Sequence, residues 1–498
     1  MSQKKCLNND DREFFYLVRD ATFANPFSDE RIELDLKISG VPPDVSDKER
    51  VENVTKKVNI RINNLEKEGL TNFNQFSGED CTLMETVFLF DFFHQFITKF
   101  DKLIPEQIKA GDNPVKIPFS DDAITLLKKR GFSKEDACRY FALCYQLRRA
   151  FYFIDHALIG RSPCMKELRR NLWNNVFTHN IGLYNEYLWN RMEDFSTLIL
   201  GETGTGKGTS ALAIGRSGFI PFDEKNQVFI ESFTKSFVSL NLSQFPETLI
   251  ESELFGHKKG SFTGAMDDHK GAFDRCSPYG SIFLDEIGEA SKPVQIKLLQ
   301  ILQERVFSPV GSHQKHRFRG RVIAATNRAI HEIRGDGILR DDFFYRLCSD
   351  IIVVPPLCQR IQEDPRELDH LLAHTIQLIL GKPSSELAEM VRCVIDKQLG
   401  KEYHWHGNVR ELEQCVRRVL LKCSYEGEHK SSVSRDLSSQ IREGVDRGDI
   451  DAQYLITAYC SMLYQRHGTF EEVSRRTQLD RRTVKKYIQQ WEKRDPGS

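Results

Sequence analysis

The sequence of 498 residues lacks the features of several specialised classes of protein. No apolar run approaches the roughly 18 residues that span a membrane, and no apolar stretch follows Lys4 and Lys5, so we expect neither a membrane helix nor a signal peptide. The twelve cysteines form no Cys-x-x-Cys pair, which argues against a zinc ribbon, a redox motif or a disulfide framework. Because 70 basic residues nearly balance 71 acidic ones, a globally basic or acidic chain is excluded. We predict a reduced, cytoplasmic protein.

The length predicts about three domains, because single hydrophobic cores stop growing near ~250–300 residues. Residues 1–155 are rich in aromatic and charged side chains, and a helix start at Ser133-Lys-Glu-Asp136 precedes a helical segment over 137–153. We predict a largely α-helical region of unknown type. An aromatic stripe at helical spacing indicates core packing rather than a ligand site and comprises Leu89, Phe92, Phe93, Phe96, Ile97 and Phe100.

The composition changes in the middle of the chain and again towards its end. Residues 156–423 alternate short apolar runs, Gly-rich turns and periodic helices, which is typical of a parallel α/β domain. Residues 424–450 hold six serines and three glycines among few apolar residues, which predicts a flexible linker. Residues 451–498 are predicted to form a small helical domain.

A Gly-rich loop between an apolar strand and a helix is the strongest single signal. Thr197-Leu-Ile-Leu200 predicts the strand, and the pattern over 209–214 predicts the helix. The backbone N–H groups of such a loop can surround phosphates while Lys207 reaches the β and γ oxygens, although a Gly-rich turn without a ligand is the alternative. The candidate nucleotide-binding residues of the loop are Gly201, Glu202, Thr203, Gly204, Thr205, Gly206, Lys207, Gly208 and Thr209.

A second apolar strand ends in two carboxylates. In Gly280-Ser-Ile-Phe-Leu-Asp285-Glu286, Asp285 can organise Mg²⁺ and Glu286 can polarise an attacking water. An acidic pair after a strand is by itself more often a solvated strand end. Together with the phosphate loop, the pair predicts an ATP-hydrolysing site that uses Mg²⁺.

Other polar residues could face the γ-phosphate. Arg321-Val-Ile-Ala-Ala-Thr326-Asn327 predicts an adjacent parallel strand that points Asn327 at this phosphate, although an ordinary strand-to-loop turn looks the same. Arg340 and Arg346 could supply cations to the transferred phosphoryl group, whose transition-state charge needs them. Taken singly, the two arginines could equally be surface residues.

One stretch of the sequence resembles a known family. Phe245-Pro-Glu-Thr-Leu-Ile-Glu-Ser-Glu-Leu-Phe-Gly-His-Lys-Lys-Gly-Ser-Phe-Thr-Gly-Ala265 is similar to the surface loop of bacterial enhancer-binding proteins, the AAA+ ATPases that activate sigma-54 RNA polymerase, and to their Gly-Ala-Phe-Thr-Gly-Ala signature. The similarity extends from Leu158-Ile-Gly-Arg-Ser-Pro163 to about Arg418. It implies an AAA+ domain with a helical lid over 156–423, in which the sigma-54 contact residues are Gly260, Ser261, Phe262, Thr263, Gly264 and Ala265.

The resemblance implies a role for each strand-end residue. Lys207 would bind phosphate, Asp285 would serve Mg²⁺ and Glu286 would activate water. Asn241 would hold the catalytic glutamate until the nucleotide state changes. Thr326 and Asn327 would form the first nucleotide sensor.

Three arginines would complete the site. The resemblance implies that Arg410, in Trp405-His-Gly-Asn-Val-Arg410, contacts nucleotide from the lid as the second sensor. Arg340 and Arg346 would reach the nucleotide of a neighbouring subunit, which requires a ring, usually a hexamer. Residues 1–155 would then be a regulatory or sensory domain, and their sequence does not resemble a phosphorylated receiver.

Several positions depart from the family pattern. Gly208 stands where the family commonly has Glu and where other phosphate loops have Ser or Thr for Mg²⁺, so that ligand is missing unless Thr209 or water replaces it. Ser261 replaces the second residue of the signature, and His406 replaces a common Pro. The segments 174–193 and 215–236 look inserted, and their roles are not predicted.

Local positive charge marks the end of the chain. Residues 454–494 hold nine basic residues against four acidic ones. Thr469 can cap a helix through Thr477, and a second helix begins at Arg481 after a turn, which resembles the helix-turn-helix domain at the end of the family's chains. A basic helix can also be merely a solvated face. The candidate DNA-binding residues are Arg481, Arg482, Thr483, Lys485 and Lys486.

These features together predict a ring-forming ATPase that binds upstream, enhancer-like double-stranded DNA and remodels sigma-54 RNA polymerase from the closed to the open complex. One alternative is an AAA+ remodelling ATPase that acts on another target, against which the 260–265 loop argues. A second alternative is a DNA-binding regulator with a degenerate ATPase, which Gly208 keeps open.

Overall fold

The computed structural model describes residues 4–335, 337–400, 403–427, 441, 448 and 450–494. It forms two compact units, one of Met1–Asp396 with Gly400–Cys423 and the other of Lys397–Leu399 with Ser424–Ser498. Of the predicted linker, residues 428–440, 442–447 and 449 lie outside the described residues.

The first part of the chain is helical, as predicted. Its helices are α1 (Asn9–Phe23), α2 (Asp29–Ser39), α3 (Asp47–Lys67), α4 (Glu79–Ala110), α5 (Ser120–Arg130) and α6 (Lys134–Ala157). The predicted start of α6 is confirmed, because the Ser133 hydroxyl accepts a hydrogen bond from the Asp136 N–H at 3.1 Å. The aromatic stripe lies on α4, where Phe92 and Phe100 are fully buried. It is core packing, as the helical spacing indicated.

A five-stranded parallel sheet forms the centre of the first unit. Its strands are β1 (Thr197–Leu200), β4 (Phe237–Asn241), β5 (Ser281–Asp285), β8 (Arg321–Thr326) and β9 (Asp350–Val353), and they lie in the order β4-β5-β8-β1-β9. β1, β5 and β8 are apolar and buried along nearly their whole length because helices cover both faces of a parallel sheet. Two antiparallel hairpins lie outside this sheet, formed by β2 (Phe222–Asp223) with β3 (Val228–Phe229) and by β6 (Val306–Phe307) with β7 (His316–Arg317).

Helices alternate with these strands, so the predicted α/β class is confirmed. Those before and between the strands are α7 (Pro163–Phe177), α8 (Ile181–Leu183), α9 (Lys207–Gly215), α10 (Glu247–Phe255), α11 (Ala272–Arg275), α12 (Lys292–Glu304), α13 (Ile330–Gly335) and α14 (Asp341–Leu347). Those after the last strand are α15 (Leu357–Glu363), α16 (Arg366–Leu380), α17 (Ser385–Gln398) and α18 (Asn408–Lys422).

The core of the sheet continues without a break into the N-terminal helices. One cluster of buried residues contains Phe141 of α6 together with Ile199 of β1 and Phe283 of β5. The predicted boundary between residues 155 and 156 falls near the end of α6, so it does not coincide with a gap in packing. It stays a prediction about the division of roles.

The segment 215–236, which looked inserted, packs on the N-terminal helices. Its hairpin places Phe222 and Phe229 against Phe141, with ring centroids 4.8 and 6.0 Å from that of Phe141. The Ile117 N–H donates to the Gln227 carbonyl at 2.9 Å, and Glu224 pairs with Lys134 at 2.8 Å. The segment therefore joins the N-terminal helices to the sheet.

A buried ion pair ties the helices after β9 to the start of the α/β region. Glu367 at the beginning of α16 is fully buried and pairs with Arg360 of α15 at 2.8 Å. The same carboxylate accepts from the Ser162 N–H at 2.6 Å. Removing either partner would leave a buried charge unpaired, which is strongly destabilising.

In the second unit, the described residues from 450 to 494 form three helices, α19 (Ala452–His467), α20 (Phe470–Thr477) and α21 (Arg481–Arg494). Its core includes Cys460, Val473 and Ile488, one from each helix. The two predicted helices are therefore observed. Among the described residues of both units, no helix is long and apolar enough to cross a membrane.

Candidate functional site

The phosphate loop connects the carboxyl end of β1 to the first turn of α9. Gly204 and Gly206 have φ values of +80° and +107°, which favour glycine because other residues are strained there. Lys207 curls back over the loop, and its Nζ donates to the carbonyl oxygens of Gly201 at 2.8 Å and Glu202 at 3.1 Å. The loop therefore has the shape of an anion-binding turn at a helix start.

Lys207 is buried, and its surroundings shift the pKa of its ammonium group. Burial lowers the pKa of Lys207, while the carboxylates of Glu286 and Asp285 act in the opposite direction. The lysine thus lies within electrostatic reach of both predicted catalytic carboxylates.

The two carboxylates lie at the end of β5, one strand away from Asn241. Asp285 and Asn241 are register partners, and the Asn241 Nδ2 donates to the Asp285 Oδ2 at 3.2 Å. Glu286 has φ +54°, an uncommon conformation for a residue with a side chain. The structure thus pairs Asn241 with the predicted Mg²⁺ ligand, whereas the family resemblance implies a contact with Glu286, and that contact stays a prediction.

The end of β8 brings the predicted first sensor to the same place. The Asn327 N–H donates to Glu286 Oε2 at 3.4 Å, and the Asn327 Nδ2 donates to the Thr203 hydroxyl at 3.3 Å. Thr326 is buried and accepts a hydrogen bond from the Arg328 N–H at 3.2 Å. Three strands separated by many residues therefore meet at one edge of the sheet, as the Gly-rich, acidic and Thr-Asn motifs predicted.

The residues present fit an ATP–Mg²⁺ complex. The loop packs closely against the start of α18: a Cβ on Gly204 would come within 2.2 Å of the Gly407 carbonyl oxygen, so this position needs glycine. Asp285 offers the carboxylate oxygens that Mg²⁺ prefers. Gly208 contributes no ligand, and the half-buried Thr209 follows it on the first turn of α9. A Cβ on Gly208 would meet only Phe283 at 4.0 Å, so the glycine is not required by space.

Asn408 is a residue of this site that sequence reasoning missed. Its side chain is fully buried, and its Nδ2 donates to Glu202 Oε2 at 3.0 Å and to the Thr203 carbonyl at 3.1 Å. Its Oδ1 accepts from the Leu357 N–H at 2.7 Å. One amide therefore joins the phosphate loop, the start of α15 and the start of α18. The Gly-Asn pair before a helix was the available signal, because Asn tolerates its φ of +53°.

The predicted arginines lie in two different places. Arg410 lies on the first turn of α18, close to the phosphate loop. If Gly204 carried a Cβ atom, that atom would be 3.0 Å from the Cβ of Arg410. Arg340 precedes α14 and pairs with Asp342 at 2.7 Å, and Arg346 is exposed near the end of α14. The predicted contact of Arg340 and Arg346 with a neighbouring subunit stays a prediction.

The predicted sigma-54 loop is an excursion between α10 and α11. Its stem is closed by the backbones of His257 and His269, which exchange hydrogen bonds of 3.0 and 2.9 Å. At the tip, Gly260 and Gly264 have φ of +79° and +102°, and the Gly260 N–H donates to the Ala265 carbonyl. The tip is therefore a tight turn that its two glycines make possible.

The aromatic residue of this loop is partly solvent-exposed. Phe262 is 37% exposed, and its ring packs edge-on against His257 at 4.9 Å. Thr263 is exposed beside it. The loop also rests on the segment between β6 and β7, since the Lys258 N–H donates to the Val310 carbonyl at 3.0 Å. No motif in the sequence indicated this second support.

The basic residues of α21 follow the predicted helical pattern. Val484, Ile488 and Trp491 are buried, whereas Arg481, Arg482, Lys485 and Lys486 are exposed and Thr483 is half-buried. The Arg482 N–H donates to Asp480 at 2.7 Å, so Asp480 closes the first turn. A continuous basic face is therefore available on this helix.

The central region of this chain is similar to known proteins. Residues 184–352 match the family model described as the Sigma-54 interaction domain. The Nif-specific regulatory protein of Azotobacter vinelandii is 37% identical over 296 residues, which are 58% of this chain and 48% of that protein. The Regulatory protein AtoC of Escherichia coli K12 is 33% identical over 329 residues, which are 66% of this chain and 63% of that protein.

A solved structure of NtrX from Brucella abortus is also similar, with 18% identity and a TM-score of 0.41 over 74% of this chain and 79% of that one. The resemblance recognised in the sequence is confirmed for the central region, where residues 184–352 match the Sigma-54 interaction domain. The chain spans about half the length of the first curated relatives it matches.

Proposed function

We propose that this chain is an ATP-hydrolysing transcriptional activator that binds upstream DNA and remodels the closed complex of sigma-54 RNA polymerase into the open complex. The observation that carries the proposal is that Lys207, Asp285 and Asn327 meet at one edge of the sheet. At the same edge, β4 is followed by α10, and α10 leads into the Gly260–Ala265 loop. The proposed nucleotide site and the proposed protein-contacting loop would thus belong to one compact unit.

The chemistry follows from the side chains at this edge. Lys207 and the N–H groups of the loop would bind the phosphates, and Glu286 would orient and polarise the attacking water. Asp285 would hold Mg²⁺, which supplies positive charge to the phosphate oxygens. Asn327 lies between Glu286 and Thr203, where it can sense whether the γ-phosphate is present.

The coupling to movement uses Asn241 and α10. Asn241 ends β4, a single short turn separates it from α10, and α10 leads directly into the loop. A change at the γ-phosphate that breaks the 3.2 Å contact between Asn241 and Asp285 would therefore be passed to the loop through one helix. Phe262 and Thr263 would then present an apolar ring and a hydroxyl to sigma-54.

Assembly and DNA binding complete the proposal. Arg346 is exposed and Arg340 is half-buried, and both lie on or beside α14 rather than on α18 with Arg410. This arrangement supports a role at the nucleotide of a neighbouring subunit in a hexameric ring. The exposed basic face of α21 supports binding of its first turns in a major groove of double-stranded DNA. Sigma-54 RNA polymerase, DNA and further copies of this chain are the proposed partners.

The test is open-complex formation by sigma-54 holoenzyme with the full chain, since the N-terminal helices share the core of the ATPase. We expect opening with ATP and none with a non-hydrolysable analogue, while ATP turnover is measured in the same sample. Thr263→Ala is the matched control: we expect it to keep ATP turnover and to lose promoter opening.

Other outcomes point to the two alternatives. ATP turnover without promoter opening, in the wild type and in Thr263→Ala alike, would indicate a remodelling ATPase with another target. DNA binding without ATP turnover would indicate a regulator with a degenerate ATPase, for which Gly208 is the structural argument.

A further inference from the structure

The phosphate-loop helix α9 is held at its far end by a helix of the N-terminal region. Beyond Gly215 the chain turns through Ser217 and Gly218, and their carbonyl oxygens face α6. Gln146 of α6 donates from Nε2 to the Ser217 carbonyl at 2.9 Å, and Arg149 donates from Nη2 to the Gly218 carbonyl. The carboxyl end of a helix carries partial negative charge, so both donors complement it.

These contacts are buried and directional. Gln146 and Arg149 are each only 1% exposed. The other partner of the Gln146 amide is the Tyr184 hydroxyl, 2.8 Å from Nε2. The Arg149 guanidinium lies 5.0 Å from the ring centroid of Tyr145 and 5.4 Å from that of Phe233. Each donor thus has its geometry fixed by packing on both sides.

Arg149 is held by hydrogen bonding and ring contacts rather than by an ion pair. Among the described residues, no acceptor hydrogen-bonds to its Nε or Nη1, and the side chains that influence its charge are Tyr145 and Tyr184 rather than a carboxylate. Burial lowers its pKa to about 10. An apolar side chain would fill such a position at lower cost, because a buried charge without a partner is expensive. What the guanidinium adds is the hydrogen bond that it donates to the Gly218 carbonyl.

Helix α9 is short enough that holding its carboxyl end also holds its phosphate end in place. It has nine residues, from Lys207 at the phosphate end to Gly215. An α-helix of this length is stiff, so a displacement at one end moves the other. Ser217 also donates from its hydroxyl to the Ala213 carbonyl, which ties the held turn to the helix itself.

We propose that Gln146 and Arg149 are positioning residues for the nucleotide site, which fix α9 from its carboxyl end and thereby set the place of Lys207. Through them the N-terminal region controls ATP affinity. The inference rests on the proposed function only for the identity of the nucleotide. It also gives segment 215–236 a role, because its hairpin keeps α6 against α9.

The test compares two substitutions, one that removes the side-chain amide of Gln146 and one that removes the hydroxyl of its partner Tyr184. Gln146→Met removes the donor to Ser217 with little change of volume, whereas Tyr184→Phe removes the other partner and leaves the Ser217 contact intact. We expect Gln146→Met to raise both the Kd of a fluorescent ATP analogue and the KM for ATP roughly fivefold, the equivalent of one neutral hydrogen bond. Tyr184→Phe should leave both constants near the wild-type values. Amide hydrogen exchange over 201–209 should be faster in Gln146→Met only.

Arg149 provides a second, independent arm. We expect Arg149→Met to raise the Kd of the analogue at least as much as Gln146→Met, and Arg149→Lys to restore part of the loss because its ammonium can still donate to Gly218. Thermal melting of each variant shows whether the fold is retained. If Arg149→Met fails to fold, Gln146→Met and Arg149→Lys carry the test.

Two results would overturn the inference. One is a Gln146→Met protein that melts like the wild type and binds the analogue with unchanged Kd and unchanged exchange over 201–209. The other is an equal loss of affinity in Tyr184→Phe, which would indicate general loosening of the core. A wild-type chain that binds the analogue without hydrolysing ATP would refute the proposed function and leave this comparison of binding intact.

Discussion

The two ends of α9 are specified in different ways. At the phosphate end, seven consecutive residues from Gly201 to Lys207 build the site, and Gly204 and Gly206 take backbone conformations that other residues avoid. At the other end, the contacts come from Gln146 and Arg149, about seventy positions away in the chain. The residues that would bind phosphate are thus neighbours in the sequence, whereas the residues that hold α9 in place come from a distant part of the chain.

The same contrast holds between the two faces of the first unit. The nucleotide edge is polar and partly exposed, with Glu286 and Asn327 open to a ligand. The face towards the N-terminal helices is aromatic and closed, and Phe141 is fully buried in it. We therefore expect substitutions at the edge to change activity more than stability, and substitutions at the closed face to do the reverse.

The largest effect is expected at the nucleotide edge. Glu286→Gln should lower ATP turnover by about 10²–10⁴-fold, because it removes the base that polarises water, while ATP binding and the melting temperature remain. The matched control is Glu289→Gln, three residues along, whose carboxylate pairs with Arg328 at 3.0 Å. Turnover by steady-state assay and binding by titration check the prediction, and unchanged turnover in Glu286→Gln would refute the assignment.

The closed face should show the opposite pattern. Phe141→Ala should lower the free energy of unfolding by about 3–5 kcal/mol, because it leaves a cavity among the rings of the hairpin and α6. The KM for ATP, measured well below the melting temperature, should rise less than the roughly fivefold expected for Gln146→Met, because the hydrogen bonds to Ser217 and Gly218 remain. Tyr187→Ala, at a mostly exposed ring of the same unit, should change stability by no more than about 0.5 kcal/mol. Equal loss of stability in Phe141→Ala and Tyr187→Ala would contradict the expected difference between the buried aromatic face and exposed positions.

A smaller effect is expected where the lid meets the phosphate loop. Asn408→Asp places a carboxylate against Glu202 and removes two donated hydrogen bonds, so the KM for ATP should rise about tenfold. Glu202→Gln in the same protein supplies a donor to the new carboxylate and should recover part of the loss. A double-mutant cycle in KM measures this coupling, and strictly additive effects would show that the two side chains act independently.

The smallest effect is expected in the second unit. If Arg482 contacts a DNA phosphate, Arg482→Ala should weaken binding similarly on all sequences and reduce the slope of log affinity against log salt by about one. Gln490→Ala, on the same helix but hydrogen-bonded towards Gln453, should leave the slope unchanged. Fluorescence anisotropy over a range of salt concentrations distinguishes the two, and an unchanged slope in Arg482→Ala would argue against phosphate contact.

Much of the site was predictable because its signals are local. The loop before Lys207, the carboxylates after β5 and the Thr-Asn pair after β8 each follow a short apolar run, and the ends of parallel strands meet at one edge of a sheet. The helical start at Ser133 was likewise readable, since a cap depends on residues three positions apart.

Other features were not readable for physical reasons. Asn408 makes its contacts only because the lid folds back over the phosphate loop, and the Gly-Asn pair indicates a helix start but not the partners of the amide. The hairpin of segment 215–236 has strands of two residues each, too short for a period to show. Its stability comes from rings on α6 that lie far away in the chain.

The sequence by itself determined the proposed chemistry: which residues are candidates to bind phosphate, which carboxylates are candidates to serve hydrolysis, and which loop resembles a sigma-54 contact. These depend on residue type and short spacing. Only the tertiary structure decided that the N-terminal helices share one core with the sheet and that Gln146 and Arg149 hold the far end of α9. Such contacts depend on how buried surfaces fit together, and that fit is a property of the whole packed chain.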